Sequence, residues 1–161
     1  MSKKSIQSKI DRFVAHTKRT LPTCGVLMCG SFARGDYDPQ TSDIDILFLS
    51  KDMPFRMELQ LFENVIFDKL VADPDMLIDV LSNLSEVSKI LSHSFGSEHR
   101  IIEHSDALVR LLELASENIK AGDFRVEKTI IKQPKTVDGS IYTMQKVNGI
   151  YRLLKNDEVF L

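Results

Sequence analysis

The sequence predicts an α+β fold in which helices flank strands, followed by a C-terminal antiparallel β meander. Three observations carry that expectation. Apolar residues recur at helical and at strand spacing in interleaved segments from Ser5 to Ile119. After Gly122 only short strand-like runs remain. The last runs are separated by Asp138-Gly139 and Asn148-Gly149, the dipeptides that suit tight turns between antiparallel neighbours. The division expected from this is residues 1–122 as one domain with an N-terminal helix, and residues 123–161 as a strand-rich extension.

Each element follows from its pattern. Ile6, Ile10, Phe13 and Val14 give Ser5 to Lys18 a helical face, and Pro22 ends that segment. Gly25 to Cys29 reads as a short buried strand. Ser31 to Arg34 reads as a turn into a short helix stopped by Gly35, and Asp36 to Thr41 as a loop. Asp43 to Leu49 is the second strand. A helix from Pro54 to about Val71 is expected from the spacing of Leu59, Phe62, Ile66, Phe67 and Leu70. Asp73-Pro74-Asp75 breaks it, and Met76 to Leu81 reads as a third strand. Helical patterns cover Ser85 to Leu91 and Asp106 to Ile119, with a polar stretch around Gly96 between them. Val126 to Lys132, Ser140 to Val147 and Ile150 to Leu154 read as the strands of the meander.

Composition narrows the function classes. With 161 residues, 43% hydrophobic and 27% charged, the chain can bury a core. A net charge of -2 argues against a generally nucleic-acid-binding protein. Charge is uneven: Phe124 to Leu161 holds seven Lys/Arg and four Asp/Glu, a net of +3, against 14 and 19 elsewhere, a net of -5. That tail suits an anionic partner, although solvated strand faces would give the same composition. Cys24 and Cys29 are five apart, which in a strand sends them to opposite faces, so no disulfide framework is expected. No apolar signal core and no run of membrane-spanning length is visible, so the expected location is the reducing cytoplasm. His16, His93, His99 and His104 show no zinc-ligand spacing.

The chemistry-bearing stretch is Cys29 to Ser50. Asp43 and Asp45 are two apart at the head of a strand, so their side chains leave the same face. Like charges that close repel, and a divalent cation between them would relieve the repulsion. Carboxylate oxygens suit Mg²⁺ or Mn²⁺. The triplet alone says little, because Asp36-Tyr37-Asp38 and Asp73-Pro74-Asp75 repeat it in turns. Only the middle triplet heads an apolar strand and follows a Gly-Ser turn placed after another strand. Gly30 allows close backbone approach, and Ser31 can add a hydrogen bond to a phosphate. An ordinary strand-to-helix turn with a serine cap would look the same. Asp79, inside MLIDVL, is an acid in a run that otherwise asks for burial. It reads as a third carboxylate or a base, or else as an edge-strand residue facing water.

Together these residues resemble the nucleotidyltransferase superfamily that includes DNA polymerase β, and most of all its minimal members. The resemblance lies in Gly30-Ser31-Phe32-Ala33-Arg34-Gly35 followed by Ser42-Asp43-Ile44-Asp45-Ile46-Leu47, within a span from Leu21 to Ala115. It implies a mixed central sheet with flanking helices. It implies transfer of a nucleoside monophosphate from an NTP, with ATP the expected donor, to an acceptor hydroxyl. By the resemblance, Gly30, Ser31, Arg34 and Ser42 would bind the nucleotide, and Asp43, Asp45 and Asp79 would be catalytic and hold Mg²⁺ or Mn²⁺. The acceptor would be a hydroxyl on a toxin-like partner protein or on a small molecule, with a partner or a homodimer completing the short chain's site. The strand-rich tail matches nothing in the minimal members. It is expected to dock on the domain or on a second subunit and shape the acceptor side, or to serve only dimerisation or stability. The alternative from another class is a non-catalytic interaction module of the same fold, which would not need a repulsive acid cluster.

Overall fold

The computed structural model describes residues 2–83 and 85–121, and the backbone of four further strands between 131 and 159. The elements run α1 (Lys3–Lys18), β1 (Val26–Cys29), α2 (Gly30–Arg34), β2 (Ile44–Leu49), β3 (Arg56–Phe62) and β4 (Val65–Ala72). Then follow α3 (Pro74–Ser82), α4 (Glu86–Gly96), β5 (Arg100–Glu103), α5 (Asp106–Ala121), β6 (Ile131–Val137), β7 (Ser140–Val147), β8 (Ile150–Lys155) and β9 (Glu158–Val159).

Five strands form a mixed sheet in the order β3-β4-β2-β1-β5. The β2–β4 pair is parallel and the other three pairs are antiparallel. Strand alternation divides the core in two. Val26 and Met28 of β1, with Ile44, Ile46 and Phe48 of β2, pack under Ile6, Ile10 and Phe13 of α1. Leu27, Leu47, Leu49, Leu70 and Ala72 turn the other way, towards Leu77 and Leu81 of α3 and Leu108 and Leu111 of α5. The architecture is therefore helix, mixed sheet, helices.

Two expected elements are exchanged. The helix expected from Pro54 to Val71 is the hairpin β3–β4. Leu59, Phe62, Ile66, Phe67 and Leu70 fit helical spacing, but the segment also alternates. What decides is the turn: Glu63 (φ 48°) and Asn64 (φ 62°) both take positive φ, as a two-residue hairpin turn requires. A helix cannot pass through that pair. The tip is tied to α1, with Arg12 Nε donating to Glu63 Oε1 at 2.8 Å and Lys9 Nζ to the Glu63 carbonyl at 2.7 Å.

The strand expected from Met76 to Leu81 is α3. The Asp73-Pro74 dipeptide, read as a breaker, is instead this helix's start. The Asp73 side chain accepts from Met76 N at 3.0 Å, and proline occupies the first turn. Pro74, Leu77 and Leu81 then share the buried face. A further strand, β5, was missed because Arg100 and Glu103 bracket its two isoleucines and make the stretch read as polar loop.

Both cysteines are free. Cys24 precedes β1 and packs beside the same apolar cluster as Cys29, so strand alternation does not separate them.

The four C-terminal strands form an antiparallel meander, β6-β7-β8-β9, whose β6 runs close to β3. Val137 pairs with Ser140 and Val147 with Ile150, as two-residue connections require. The dipeptides Asp138-Gly139 and Asn148-Gly149 themselves, the expected strand residues 126–130, and the tail's side chains lie outside the described residues.

Glu103 joins α1, the β1 approach and β5. Burial alone would raise its carboxyl. Donors from Thr23 Oγ1 (2.6 Å), Lys18 Nζ (2.9 Å) and Gly25 N (3.2 Å) outweigh that and hold it below the ordinary glutamate value. A lowered folded-state pKa means stability that is present above the unfolded value and lost as pH falls through the folded one. Glu103→Gln is therefore expected to be less stable than wild type at neutral pH. The gap should narrow as the pH falls below about 4.3, where the unfolded carboxyl protonates, and close once the pH is below the lower folded value, where the folded carboxyl protonates too. Urea unfolding at neutral and acid pH measures this; a gap of the same size at both would remove Glu103 from the acid response.

Candidate functional site

The sheet's hydrogen-bond register builds the site. Parallel pairing of β2 with β4 sets Asp45 opposite Asp68, and antiparallel pairing of β1 with β2 sets Cys29 opposite Asp45. Asp43 lies one residue before β2, two from Asp45. Oxygens of Asp43, Asp45 and Asp68 lie within 4.8 Å of one another. Asp43 is 5% and Asp68 2% exposed, so two of the three carboxylates are taken almost wholly from water.

Gly30 opens α2 directly beside them. Its φ is +72°, and a Cβ on it would overlap Oδ2 of Asp45 and stand 2.8 Å from the Asp45 Cγ. In sequence alone, Gly30 suits close approach by a ligand. The geometry adds a nearer reason: the turn has to make room for Asp45 itself. Ser31 is the second residue of α2. The capping position belongs to Cys29, and no side chain caps there. The serine-cap reading of Ser31 therefore does not apply.

Two more expected residues have partners outside the triad. Arg34 is exposed and pairs with Asp36 at 3.4 Å. Ser42 braces the preceding loop, its Oγ accepting from Asp38 N at 3.3 Å. Tyr37 packs edge-on against Phe32. Its phenol is pushed up by burial first and by Asp43 and Asp38 after that. Burial, then the charges of Asp45, Asp68 and Asp43, push the Cys29 thiol well up, which keeps it a neutral thiol rather than a thiolate nucleophile.

Asp79 is not brought to this cluster. It is exposed on α3, while the position expected for it beside the Asp43–Asp45 strand is held by Asp68 of β4. The signal for Asp68 was present in VIFDKLV, an acid inside an apolar run, the same argument that singled out Asp79. It was hidden because that run was read as helix.

Three carboxylates gathered this closely repel unless a cation or protons intervene. An all-oxygen, anionic donor set of this kind suits a hard divalent ion. Asp43, Asp45 and Asp68 are thus the residues that could hold one. Among the described residues no other group of three or more His, Cys, Asp or Glu side chains is so arranged.

Residues 10–116 match the model of the nucleotidyltransferase domain family, a span from α1 into α5 that contains all five strands of the sheet and all three acids. The chain belongs to this family. The nucleotidyltransferase domain is an enzyme domain, and the mixed sheet with helices on both faces agrees with its fold. The chain is also 54% identical over 35 residues to a protein of Methanocaldococcus jannaschii named "Putative protein adenylyltransferase". That match covers 22% of this chain and 34% of the relative, about a third of that protein's length. No helix among the described residues is long and apolar enough to cross a membrane.

Proposed function

We propose that this nucleotidyltransferase moves a nucleoside monophosphate from ATP to a hydroxyl on a protein or small-molecule acceptor, using Mg²⁺ or Mn²⁺, in the cytoplasm. The observation that supports the reading is the buried carboxylate triad Asp43, Asp45 and Asp68 packed against the Gly30 turn. The adenylyl group and the protein acceptor draw on the name of the Methanocaldococcus jannaschii relative.

In this reading the triad replaces the set that included Asp79. Gly30 and Ser31 take the triphosphate side, with Arg34 and Ser42 at the rim. The acceptor oxygen attacks the α-phosphorus and forms a new O–P bond. The bond from that phosphorus to the bridging oxygen breaks, and pyrophosphate departs with the electron pair. The hydroxyl proton passes to a carboxylate oxygen of the triad, with Asp68 the candidate base. A bound divalent cation would offset the carboxylate charges and draw charge from the phosphate oxygens. The β6–β7–β8–β9 extension, which comes up beside β3, contributes to the acceptor side.

The test is incubation with ATP labelled in its α-phosphate, with Mg²⁺ or with EDTA, in the protein's own cell extract. A labelled acceptor that needs Mg²⁺ is expected. Nucleotide-independent capture of a partner, with no labelling, would favour the interaction module instead. Ser31→Ala is expected to weaken Mg-ATP binding by about 1–2 kcal/mol, the loss of one hydrogen bond to a charged group. Equal calorimetric affinity for both proteins would remove Ser31 from the phosphate side.

A further inference from the structure

The face of the sheet that carries the acids continues past them. Asp45, Asp68 and Leu59 form one row across β2, β4 and β3. One pleat nearer the hairpin tip, Leu61 pairs with Ile66, and both share the face of Leu59 and Asp68 because side chains two apart point the same way. Leu59 is 2% exposed, whereas Leu61 is 41% exposed and Ile66 is half-buried. The helices α3 and α5 cover the opposite end of this face, over Leu47, Leu49, Leu70 and Ala72. Leu61 thus keeps water-accessible apolar surface in the row next to Asp68, with Ile66 half-buried beside it.

We propose that Leu61 and Ile66 form the acceptor-side wall of the site, and that the hydroxyl receiving the nucleotide is carried on an apolar group. This rests on the nucleotidyl-transfer reading above. Strand order across the site is β1, β2, β4, β3. With the triphosphate at Gly30 and Ser31, just past β1, the pyrophosphate leaves on the β1 side. Attacking and leaving oxygens in phosphoryl transfer lie roughly in line through the phosphorus. The acceptor oxygen therefore arrives from the β4–β3 side, over Ile66 and Leu61. Those side chains offer no hydrogen bonds, so a polyol would lose water there without compensation. An aromatic or aliphatic group bearing one hydroxyl would instead bury apolar surface against them.

The experiment is methyl and amide NMR on the full chain with Mg²⁺ and a non-hydrolysable ATP analogue, titrated with p-cresol or with glycerol. p-Cresol is expected to move the Leu61 and Ile66 methyls and to half-saturate at a concentration at least about tenfold below glycerol, the scale on which an apolar contact discriminates. Leu61→Asn should remove that preference while leaving the analogue bound. Equal response to the two probes, or p-cresol affinity unchanged in Leu61→Asn, overturns the proposal. So does an analogue that moves the Leu61 and Ile66 methyls itself while p-cresol does not, which would give the wall to the nucleobase. An analogue that leaves the Gly30 and Ser31 amides unmoved defeats the nucleotidyl-transfer reading, and the wall falls with it.

Discussion

Asp45→Asn is expected to lower nucleotide transfer at least about a hundredfold, a loss of roughly 2.7 kcal/mol in transition-state stabilisation. Asp45 stands in the middle of the triad, opposite Asp68 on one side and Cys29 on the other. Asparagine keeps its size and its place in β2 but removes the charge. Asp68→Asn is expected to behave alike. Asp79→Asn, altering an exposed position on α3, should leave the rate within about twofold, since substitutions away from buried or reacting groups are usually small in effect. The ion-free protein should not melt earlier in Asp45→Asn or Asp68→Asn, because each relieves repulsion among close carboxylates. Mg²⁺-dependent transfer and thermal unfolding, measured on all three variants, separate the cases. Full turnover in Asp68→Asn together with loss in Asp79→Asn would return the third acid to α3.

Gly30→Ala is the second large effect. Two costs combine in it. A side chain at φ +72° is strained by roughly 1–3 kcal/mol. The added Cβ also claims the space of the Asp45 carboxyl, and Asp45 would have to turn away from its neighbours. Gly35 supplies the control: its φ is +87°, yet a Cβ there meets nothing within 4 Å. Gly35→Ala should carry the strain alone, and Gly30→Ala the strain together with weakened Mg²⁺ binding and transfer. Chemical denaturation reads the first quantity and Mg²⁺ titration the second. If both variants bound Mg²⁺ as wild type does, the contact between Gly30 and Asp45 would have no bearing on the site.

Much of the site was legible because short-range spacing carries it. Asp43, Asp45, Gly30 and Ser31 lie within sixteen residues of one another. Their pattern needed only strand alternation and a turn to be read. Asp68 was not legible, because its place depends on register between strands that are not adjacent in sequence. Its segment also satisfies two periods at once: Leu59, Phe62, Ile66 and Phe67 fit a helix as well as they fit two short strands. The turn residues that decide between them, Glu63 and Asn64, are not the Asn-Gly or Asp-Gly pair that marks such a turn plainly. The same weakness exchanged Met76 to Leu81. Six apolar-rich residues do not distinguish a strand from two helical turns, and the deciding cap, Asp73, was spent on the idea of a break. Arg34 and Ser42, named from the motif, are tied to Asp36 and to the loop at Asp38.

The placement of β4 between β2 and β3 bears on the order in which the molecule assembles. The β3–β4 turn is two residues long, so that hairpin closes locally and early. The β2–β4 pairing spans about twenty residues and has to admit a finished hairpin along the edge of β2. Asp43 and Asp45 are neighbours from the moment the chain is made, but Asp68 reaches them only when that insertion is complete. A cation held by all three acids would therefore favour states in which β2 and β4 are paired over those in which they are not. Bound there, it would add stability that grows with the logarithm of free ion once the site begins to fill.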